Sequence, residues 1–353
     1  MEPVNVAEWE RAARSRIEPG ALGYFAGGAG DERTLRANVA ALERVKLRPR
    51  VLVDVSTVDT STTVLGTAVS MPLLLAPVAF QGLLHAQGER AGARAAAAAG
   101  TIFTLSTLAS CLPREIAPAG ARWMQLYVFR DRAITRAIID EAVECGFCAL
   151  VLTVDAPRAG RRERDLRTAF QLPPELSVPS VAAAIGGGAT PTVAEVFELV
   201  DASLCWEDVA EFAATSPLPL VLKGIQTAED ARLACEHGAD AIVVSNHGGR
   251  QLDDVAGTIE LLPEIVDAVG GRSEVLMDGG VRRGIDVLKA LALGARAVMV
   301  GRPMIWGLAA AGERGVARVL EQLHAEIELG LTLLGCPTPA DVTRMHVSCP
   351  RAT

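Results

Sequence analysis

Ala241-Ile242-Val243-Val244-Ser245-Asn246-His247-Gly248-Gly249-Arg250-Gln251-Leu252-Asp253 is the stretch on which the reading of this chain turns. Its first four residues are apolar without alternation, the mark of a strand buried on both faces and hence of a parallel sheet. The glycine-loosened loop that follows sets an imidazole and a guanidinium three residues apart, a base beside an anion clamp. In parallel α/β proteins the carboxyl ends of strands are where chemistry is placed.

Seven more short, β-branched-rich apolar runs share this character: Leu73–Pro77, Ile102–Ser106, Trp123–Tyr127, Ala149–Val154, Pro219–Lys223, Glu274–Asp278 and Ala297–Val300. Most lead into amphipathic segments of helical period, among them Gly88–Ala99, Arg132–Glu144, Ala228–His237, Ile259–Val269 and Gly284–Leu293. Gly100, Gly146, Gly238 and Gly294 close several of these as helix C-cap signals. Eight such units in a row predict an α/β protein with a closed (β/α)8 TIM barrel rather than an open sheet. Residues 1–353 read as a single barrel domain, with 1–65 a helical N-terminal extension showing few strand signals. Residues 156–206, between the fourth and fifth strands, read as a structureless lid on the carboxyl face, rich in Pro, Ala and Gly over 172–191.

The bulk numbers exclude several functions. At 353 residues, 50% hydrophobic and 22% charged, the composition is that of a soluble globular protein. A net charge of −8 with no basic stripe argues against nucleic acid. No apolar run approaches the roughly 20 residues of a membrane span, and neither a signal-peptide pattern nor a peroxisomal address is visible, so a cytoplasmic location is expected. The seven scattered cysteines make no disulfide framework. Cys145-Gly146-Phe147-Cys148 sits at a helix end rather than a helix start and has no second Cys/His pair, so it reads as two buried thiols, with no metal site. Lysine occurs only at 46, 223 and 289, which makes Lys223, ending an apolar run, conspicuous.

The chemistry-capable residues fall at the strand ends. In strand order they are Ala76-Pro77-Val78-Ala79, Ser106, Gln125 with Tyr127, Thr153 with Asp155, Lys223, Ser245 with His247, Asp278-Gly279-Gly280 with Arg282, and Gly301-Arg302. A barrel aims all of them into one mouth. The last two loops pair glycines with arginines, the makings of a phosphate site after the seventh and eighth strands. Neither a G-x-G-x-x-G after a strand nor a P-loop is present. A phosphate site combined with Ser106, Gln125, Thr153 and Lys223 suits a planar, hydrogen-bonding ring with a phosphate tail, namely FMN, Lys223 facing the edge that gains negative charge on reduction.

These residues resemble the FMN-dependent L-2-hydroxy-acid oxidase and dehydrogenase family, which includes glycolate, lactate and mandelate oxidases. The resemblance runs from about residue 5 to 345, broken over the lid, and is carried by Ser245–Asp253, Thr153-Val154-Asp155, Gly160-Arg161-Arg162-Glu163 and Asp278–Gly284. It implies oxidation of an (S)-2-hydroxy acid to the 2-oxo acid and a homo-oligomer, tetramer or octamer. It further implies His247 as the base, Asp155 as its orienting partner, Arg162 and Arg250 as carboxylate clamps, Tyr24 on the carboxylate and Tyr127 on the reacting oxygen. Ser106, Gln125, Thr153, Lys223 and Ser245 would hold the ring and ribityl chain. Asp278, Gly279, Gly280, Arg282, Gly301 and Arg302 would hold the ribityl end and phosphate, with Pro77, Val78 and Ala79 contributing from the first loop, Val78 through backbone.

Two departures bear on the substrate. Leu108 stands where glycolate oxidases carry tryptophan, and Ala159 replaces a larger apolar residue, which widens the expected pocket towards a mandelate-like or medium aliphatic acid. Ala79 matches the oxidases rather than the lactate monooxygenases, which points to dioxygen as acceptor and hydrogen peroxide as product. The competing readings are a dehydrogenase using another acceptor, an FMN-dependent non-redox isomerase, and a silent flavin-binding protein. The last two have no need of the joint set Tyr24, Tyr127, Asp155, Arg162, His247 and Arg250.

Overall fold

Continuous apolar runs become strands whose two faces are both covered. The computed structural model describes residues 2–116, 120–173, 176–185 and 193–348. Its strands are β1 (Leu73–Leu75), β2 (Phe103–Leu105), β3 (Arg122–Leu126), β4 (Ala149–Thr153), β5 (Leu220–Ile225), β6 (Ala241–Val244), β7 (Glu274–Met277) and β8 (Ala297–Val300). They pair in parallel, in sequence order, and β8 returns to β1 to close the barrel. The expected TIM barrel is what the chain forms.

Alternation of side chains divides the core in two. Leu74, Trp123, Val151, Val221, Val243, Leu276 and Met299 fill the barrel interior. Leu73, Leu75, Leu105, Met124, Leu150, Leu222 and Val244 pack in the larger layer under the helices. Trp123, with no exposed surface, is the largest interior plug; its truncation to alanine would cost about 3–5 kcal/mol. Helices Gly88–Ala98, Arg132–Glu144, Trp206–Thr215, Ala228–Glu236, Thr258–Val269, Gly284–Ala292 and Arg302–Leu334 surround the strands. The last is broken at Ala311 and Gly312, where φ reaches 61° at the glycine. Between β2 and β3 the described residues hold a short 3-10 turn, Pro113–Glu115, in place of an α-helix.

The N-terminal extension holds helices Val6–Arg14, Pro19–Ala26 and Arg33–Arg44, and in it and just beyond it lie short strands that the sequence reading passed over. Thr62–Val64 and Thr67–Val69 form a hairpin whose Val64 and Val69 enter the interior cluster. Its turn residues Leu65 and Gly66 both have positive φ, at 46° and 73°, as a tight two-residue hairpin turn demands. Lys46–Leu47 pairs with Val347–Ser348.

The lid departs from expectation more sharply. Its described part holds three short helices, Glu163–Arg167, Pro179–Ile185 and Val193–Leu199, with irregular chain beside them. Two backbone bonds fasten its end to the loop after β3: Arg130 N donates to Leu199 O at 2.9 Å and Asp201 N to Val128 O at 2.8 Å. The Gly186-Gly187-Gly188 stretch lies outside the described residues. Cys145 and Cys148 are free and half-buried rather than buried. Among the described residues no helix is long and apolar enough to cross a membrane, and no His/Cys/Asp/Glu cluster could hold a metal.

Candidate active site

The loop after β6 turns through three successive left-handed residues, His247, Gly248 and Gly249, with φ of 58°, 63° and 75°. For His247 this conformation is uncommon and costs of the order of 1 kcal/mol. The surroundings impose it. Asn246 and Asn38 exchange side-chain amide bonds of 2.9 and 2.8 Å. Asp253 accepts from the backbone N–H of Thr34 at 2.8 Å and of Arg33 at 3.2 Å, capping the helix of the extension. A Cβ on Gly249 would sit 2.6 Å from Leu35 N, so the loop reaches that helix only without a side chain.

His247 Nδ1 lies 2.9 Å from Asp155 Oδ1, and the backbone N–H of His247 donates to Ser245 Oγ at 3.1 Å. The Asp155 side chain is 5% exposed. A Cβ on Gly224 would meet Asp155 Cβ at 2.6 Å, so glycine makes room for the carboxylate. Burial pushes the His247 pKa below its ordinary value, with Lys223 and Arg162 adding to the effect and Asp155 opposing it. The ring is therefore neutral near pH 7, the state a base requires. Burial pushes Asp155 up, but His247 and Lys223 outweigh it and its pKa ends below the usual carboxylate value.

The chain has two tyrosines, and both line this cavity. Tyr127, 7% exposed, has its phenol pKa raised, first by burial and then by Asp155, so it stays protonated. Tyr24 lies beneath two guanidinium groups, Arg250 at 4.7 Å and Arg162 at 5.6 Å from its ring centre. Arg250 Nη1 donates to Tyr24 O and, at 3.0 Å, to Gly27 O. Arg302 donates to Phe25 O at 3.1 Å, Gly248 O at 3.0 Å and Gly27 O at 2.8 Å. Both arginines thus bind the carbonyl end of helix Pro19–Ala26, the negative end of its dipole.

These cations lack carboxylate partners. None of Arg162, Arg250, Arg282 and Arg302 forms an ion pair among the described residues. Burial, then Arg162, pushes Arg250 down to about 10. Burial, then Arg250 and Arg282, pushes Arg302 well below its ordinary value, and burial lowers Arg282. Buried positive charge without a counter-ion is costly, and an anion relieves it.

The floor is a polar chain. Gln125 Oε1 accepts from Ser106 Oγ at 3.2 Å and Thr107 N at 3.0 Å, while its Nε2 donates to Thr153 Oγ1 at 3.0 Å. Lys223 Nζ donates to Ser245 Oγ at 3.1 Å and pairs with Asp278 Oδ2 at 3.2 Å. Burial pushes the lysine down, but Asp278 and Asp155 outweigh it and keep it charged. Asp278 Oδ1 is buried without a hydrogen-bond partner.

A cavity of about 990 Å³, its open mouth included, brings these groups together. Of the residues singled out from sequence, Tyr24, Pro77, Val78, Ala79, Ser106, Leu108, Gln125, Tyr127, Thr153, Arg162, Lys223, His247 and Arg250 line it, as do Asp278, Gly279, Gly280, Arg282, Gly301 and Arg302. Asp155 and Ser245 stand behind His247 and Lys223. Ala159 is the exception. It is exposed and outside the lining, because Gly160 N donates to Gln251 Oε1 at 3.0 Å and holds that segment on the outer side of the loop. Sequence reasoning missed Phe197 of the lid, which lines the cavity with its ring 5.6 Å from that of Tyr127, and Phe25 and Ile305 beside the arginines. The Phe197 position falls in no recognisable motif and becomes visible only once the lid is folded.

The residues fit FMN. Arg282 and Arg302 wait for an anion at the β7–β8 loops, Gly279, Gly280 and Gly301 leave the backbone open there, and Asp278 Oδ1 wants a donor such as a ribityl hydroxyl. Comparison with known proteins agrees. A family model described as FMN-dependent dehydrogenase matches residues 13–349. L-lactate oxidase of Nostoc sp. is 47% identical over 352 residues, covering 96% of this chain and 96% of that protein. Glycolate oxidase 3 of Arabidopsis thaliana is 47% identical over 354 residues, covering 98% and 96%. A mandelate oxidase variant solved with (S)-mandelic acid superposes with a TM-score of 0.90 at 44% identity, over 100% of both chains. The crystal structure of mandelate oxidase with (S)-4-hydroxymandelic acid gives 0.92 at 44% identity over 98% of each. The chain therefore belongs to the FMN-dependent dehydrogenase family and is an FMN enzyme.

Proposed function

We propose that the chain oxidises an (S)-2-hydroxy acid to the 2-oxo acid and passes the electrons to dioxygen. The carrying observation is the neutral His247, 2.9 Å from Asp155, opening onto the same cavity as the unpaired Arg162 and Arg250. A 2-hydroxy carboxylate needs those two features together, a cationic fork for its carboxylate and a base for its hydroxyl proton.

FMN would be held by Ser106, Gln125, Thr153 and Lys223 along its ring, with Ser245 behind them accepting from Lys223 Nζ at 3.1 Å, and by Asp278, Gly280, Arg282, Gly301 and Arg302 towards its phosphate. When bound, it accepts the two electrons that leave carbon 2 of the substrate. Arg162 and Arg250 fix the carboxylate and Tyr24 adds its hydroxyl. Tyr127, kept protonated, donates to the reacting oxygen. His247 takes the hydroxyl proton at Nε2 while Asp155 holds Nδ1 and stabilises the imidazolium. The overall balance is RCH(OH)COO⁻ + O₂ → RCOCOO⁻ + H₂O₂.

The substrate side chain would meet Leu108, Ala79 and Phe197, an apolar wall suited to a group larger than glycolate's hydrogen, aromatic or medium aliphatic. The curated relatives act on lactate and glycolate by name, and the structural neighbours on mandelate. We read 1–353 as one FMN-binding barrel, 1–65 as its extension and 156–206 as its lid, since Arg162 and Phe197 reach the cavity from the lid.

The test is anaerobic mixing with glycolate, lactate, mandelate and 2-hydroxyoctanoate in both enantiomers, followed by air and a peroxide assay. Bleaching of the flavin absorbance by (S)-acids, fastest with the larger ones, and peroxide on aeration are expected. Absence of bleaching with every acid would remove the 2-hydroxy-acid reading, and glycolate as the best substrate would remove the size assignment.

A further inference from the structure

Between helices Pro19–Ala26 and Arg33–Arg44 the extension touches the site through a single peptide group, the one that joins Gly27 to Gly28. Its oxygen, Gly27 O, accepts from Arg250 Nη1 at 3.0 Å and from Arg302 Nη2 at 2.8 Å. Its N–H, on Gly28, donates to Glu32 Oε1 at 2.9 Å. The peptide is trans, so these two groups point in opposite directions. A carboxylate therefore holds the peptide from one side while two cations of the site hold it from the other. A carboxylate on the N–H also polarises the amide and makes its oxygen the better acceptor.

Such a peptide needs holding. Close packing demands glycine on both sides of it: a Cβ on Gly27 would sit 2.6 Å from Gly23 O, and one on Gly28 2.7 Å from Gly249 O. A peptide between two glycines turns over easily, and turning it would carry Gly27 O away from both guanidinium groups. Glu32 is free to prevent this. It precedes helix Arg33–Arg44 in a left-handed conformation, φ 59°, and its side chain makes no cap bond to that helix, which Asp253 caps instead. Its second oxygen, Oε2, accepts from Arg164 Nη2 at 2.5 Å. Arg164 stands on the first helix of the lid, two residues past Arg162. Its stem crosses the glycine face of helix Pro19–Ala26, where a Cβ on Gly23 or Gly27 would meet it at 3.4 or 3.2 Å. Burial pushes the Glu32 carboxyl up, but the Gly28 N–H, Arg164 and Arg302 outweigh it and keep it ionised near pH 7.

We propose that Glu32, held by Arg164 of the lid, is a positioning residue that locks the Gly27–Gly28 peptide and through it aims Arg250 at the substrate carboxylate and Arg302 at the FMN phosphate. The Arg250 half rests on the 2-hydroxy-acid reading above; the Arg302 half rests on the cofactor alone. Because Arg164 belongs to the lid, docking of the lid and the grip on both anions are coupled through one carboxylate.

Glu32→Ala removes both the acceptor and the charge. In the holoenzyme it is expected to raise the KM for (S)-mandelate and (S)-lactate about ten-fold while kcat falls by less than about three-fold. The FMN dissociation constant, read by flavin fluorescence on dilution, should also rise about ten-fold. Glu32→Gln keeps an oxygen for the Gly28 N–H and should bring both constants back to within about three-fold of the wild type. Equal losses in Glu32→Gln and Glu32→Ala would assign the effect to charge and overturn the peptide lock. Arg164→Met, at a half-exposed position, should raise both constants about three-fold and is the variant to use if Glu32→Ala does not fold. Wild-type values of both constants in the folded variant would overturn the proposal. A wild-type holoenzyme that neither acid reduces would strike the substrate reading instead, and the FMN dissociation constants would still decide whether Glu32 holds Arg302.

Discussion

Asp155→Asn isolates the charge behind the base. The asparagine carbonyl can still accept from His247 Nδ1, so the 2.9 Å contact and the ring orientation survive while the negative charge goes. The two charge centres lie about 4 Å apart once histidine is protonated, and at an effective dielectric constant near 20 their attraction is worth about 4 kcal/mol. The pair is largely buried, at 21% and 5% side-chain exposure, so solvent screening removes only part of this. The amide dipole returns some of the loss, which leaves about 3 kcal/mol of imidazolium stabilisation missing when the proton arrives. At 1.36 kcal/mol per decade this slows anaerobic flavin reduction by roughly 10²- to 10³-fold. Because Asp155 stands behind the cavity wall, the apparent substrate affinity should barely move. Asp155 also raises the His247 pKa against burial, so its neutralisation should shift the acid limb of the reduction rate to lower pH. Stopped-flow reduction across pH at saturating substrate reads both effects. A rate within ten-fold of wild type, with the acid limb unmoved, would refute the assignment of Asp155 as the charge that stabilises the protonated base.

The wild-type pH profile follows from the same shift. His247 sits below its ordinary value, so kcat/KM should be level above about pH 6.5 and fall only at lower pH. The stability contribution has the matching sign: a depressed histidine pKa favours the folded state above the unfolded value, and that share is lost as pH falls past about 6.5, measurable as Tm against pH. Arg250→Met removes a charged, bidentate-capable donor worth about 2–3 kcal/mol, so KM should rise roughly 30- to 150-fold with flavin content intact; an unchanged KM would dismiss the clamp. Phe197→Ala empties the lid side of the side-chain pocket, so the kcat/KM ratio of mandelate to lactate should shift by about ten-fold, one to three kcal/mol of apolar contact being at stake; a constant ratio would show that Phe197 does not touch the side chain.

Most of the barrel was legible because its strands are buried on both faces. A run such as Ala241–Val244 has no polar position to disguise it, and the glycines after the helices mark where each unit turns back. The hairpin Thr62–Val69 was passed over because its signal is a short β-branched run around Leu65-Gly66, weak until seen plugging the barrel interior. The lid was misread because composition alone governed the reading. Its Pro and Gly suggested a loop, yet Pro179 opens a helix, and Phe197 is placed by bonds from Leu199 to Arg130 and from Asp201 to Val128, which no local pattern encodes. The Asn38–Asn246 pair, 208 residues apart in sequence, was illegible for the same reason. Ala159 was placed in the pocket by analogy of position, and the bond between Gly160 and Gln251 puts it outside.

The length of the motif that follows β6 has a physical reason. His247 and Arg250 face the cavity, and most of the other side chains around them hold distant chain segments to the loop. Asn246 ties it to the extension through Asn38, and Asp253 caps the helix that begins at Arg33. Gln251 Nε2 donates to Asp155 O and Arg158 O, each at 2.9 Å, which joins the loop to the start of the lid and to the backbone of the histidine's own partner. Arg302, from the loop after β8, donates to Gly248 and to the end of the helix that carries Tyr24. The base, the clamp and the lid therefore share one scaffold, and a left-handed histidine is tolerable because four chain segments hold it there. A change at Asn246 or Gln251 would act on all three at once without touching substrate, which separates these positions from Arg162 and Arg250, whose replacement should show first in binding.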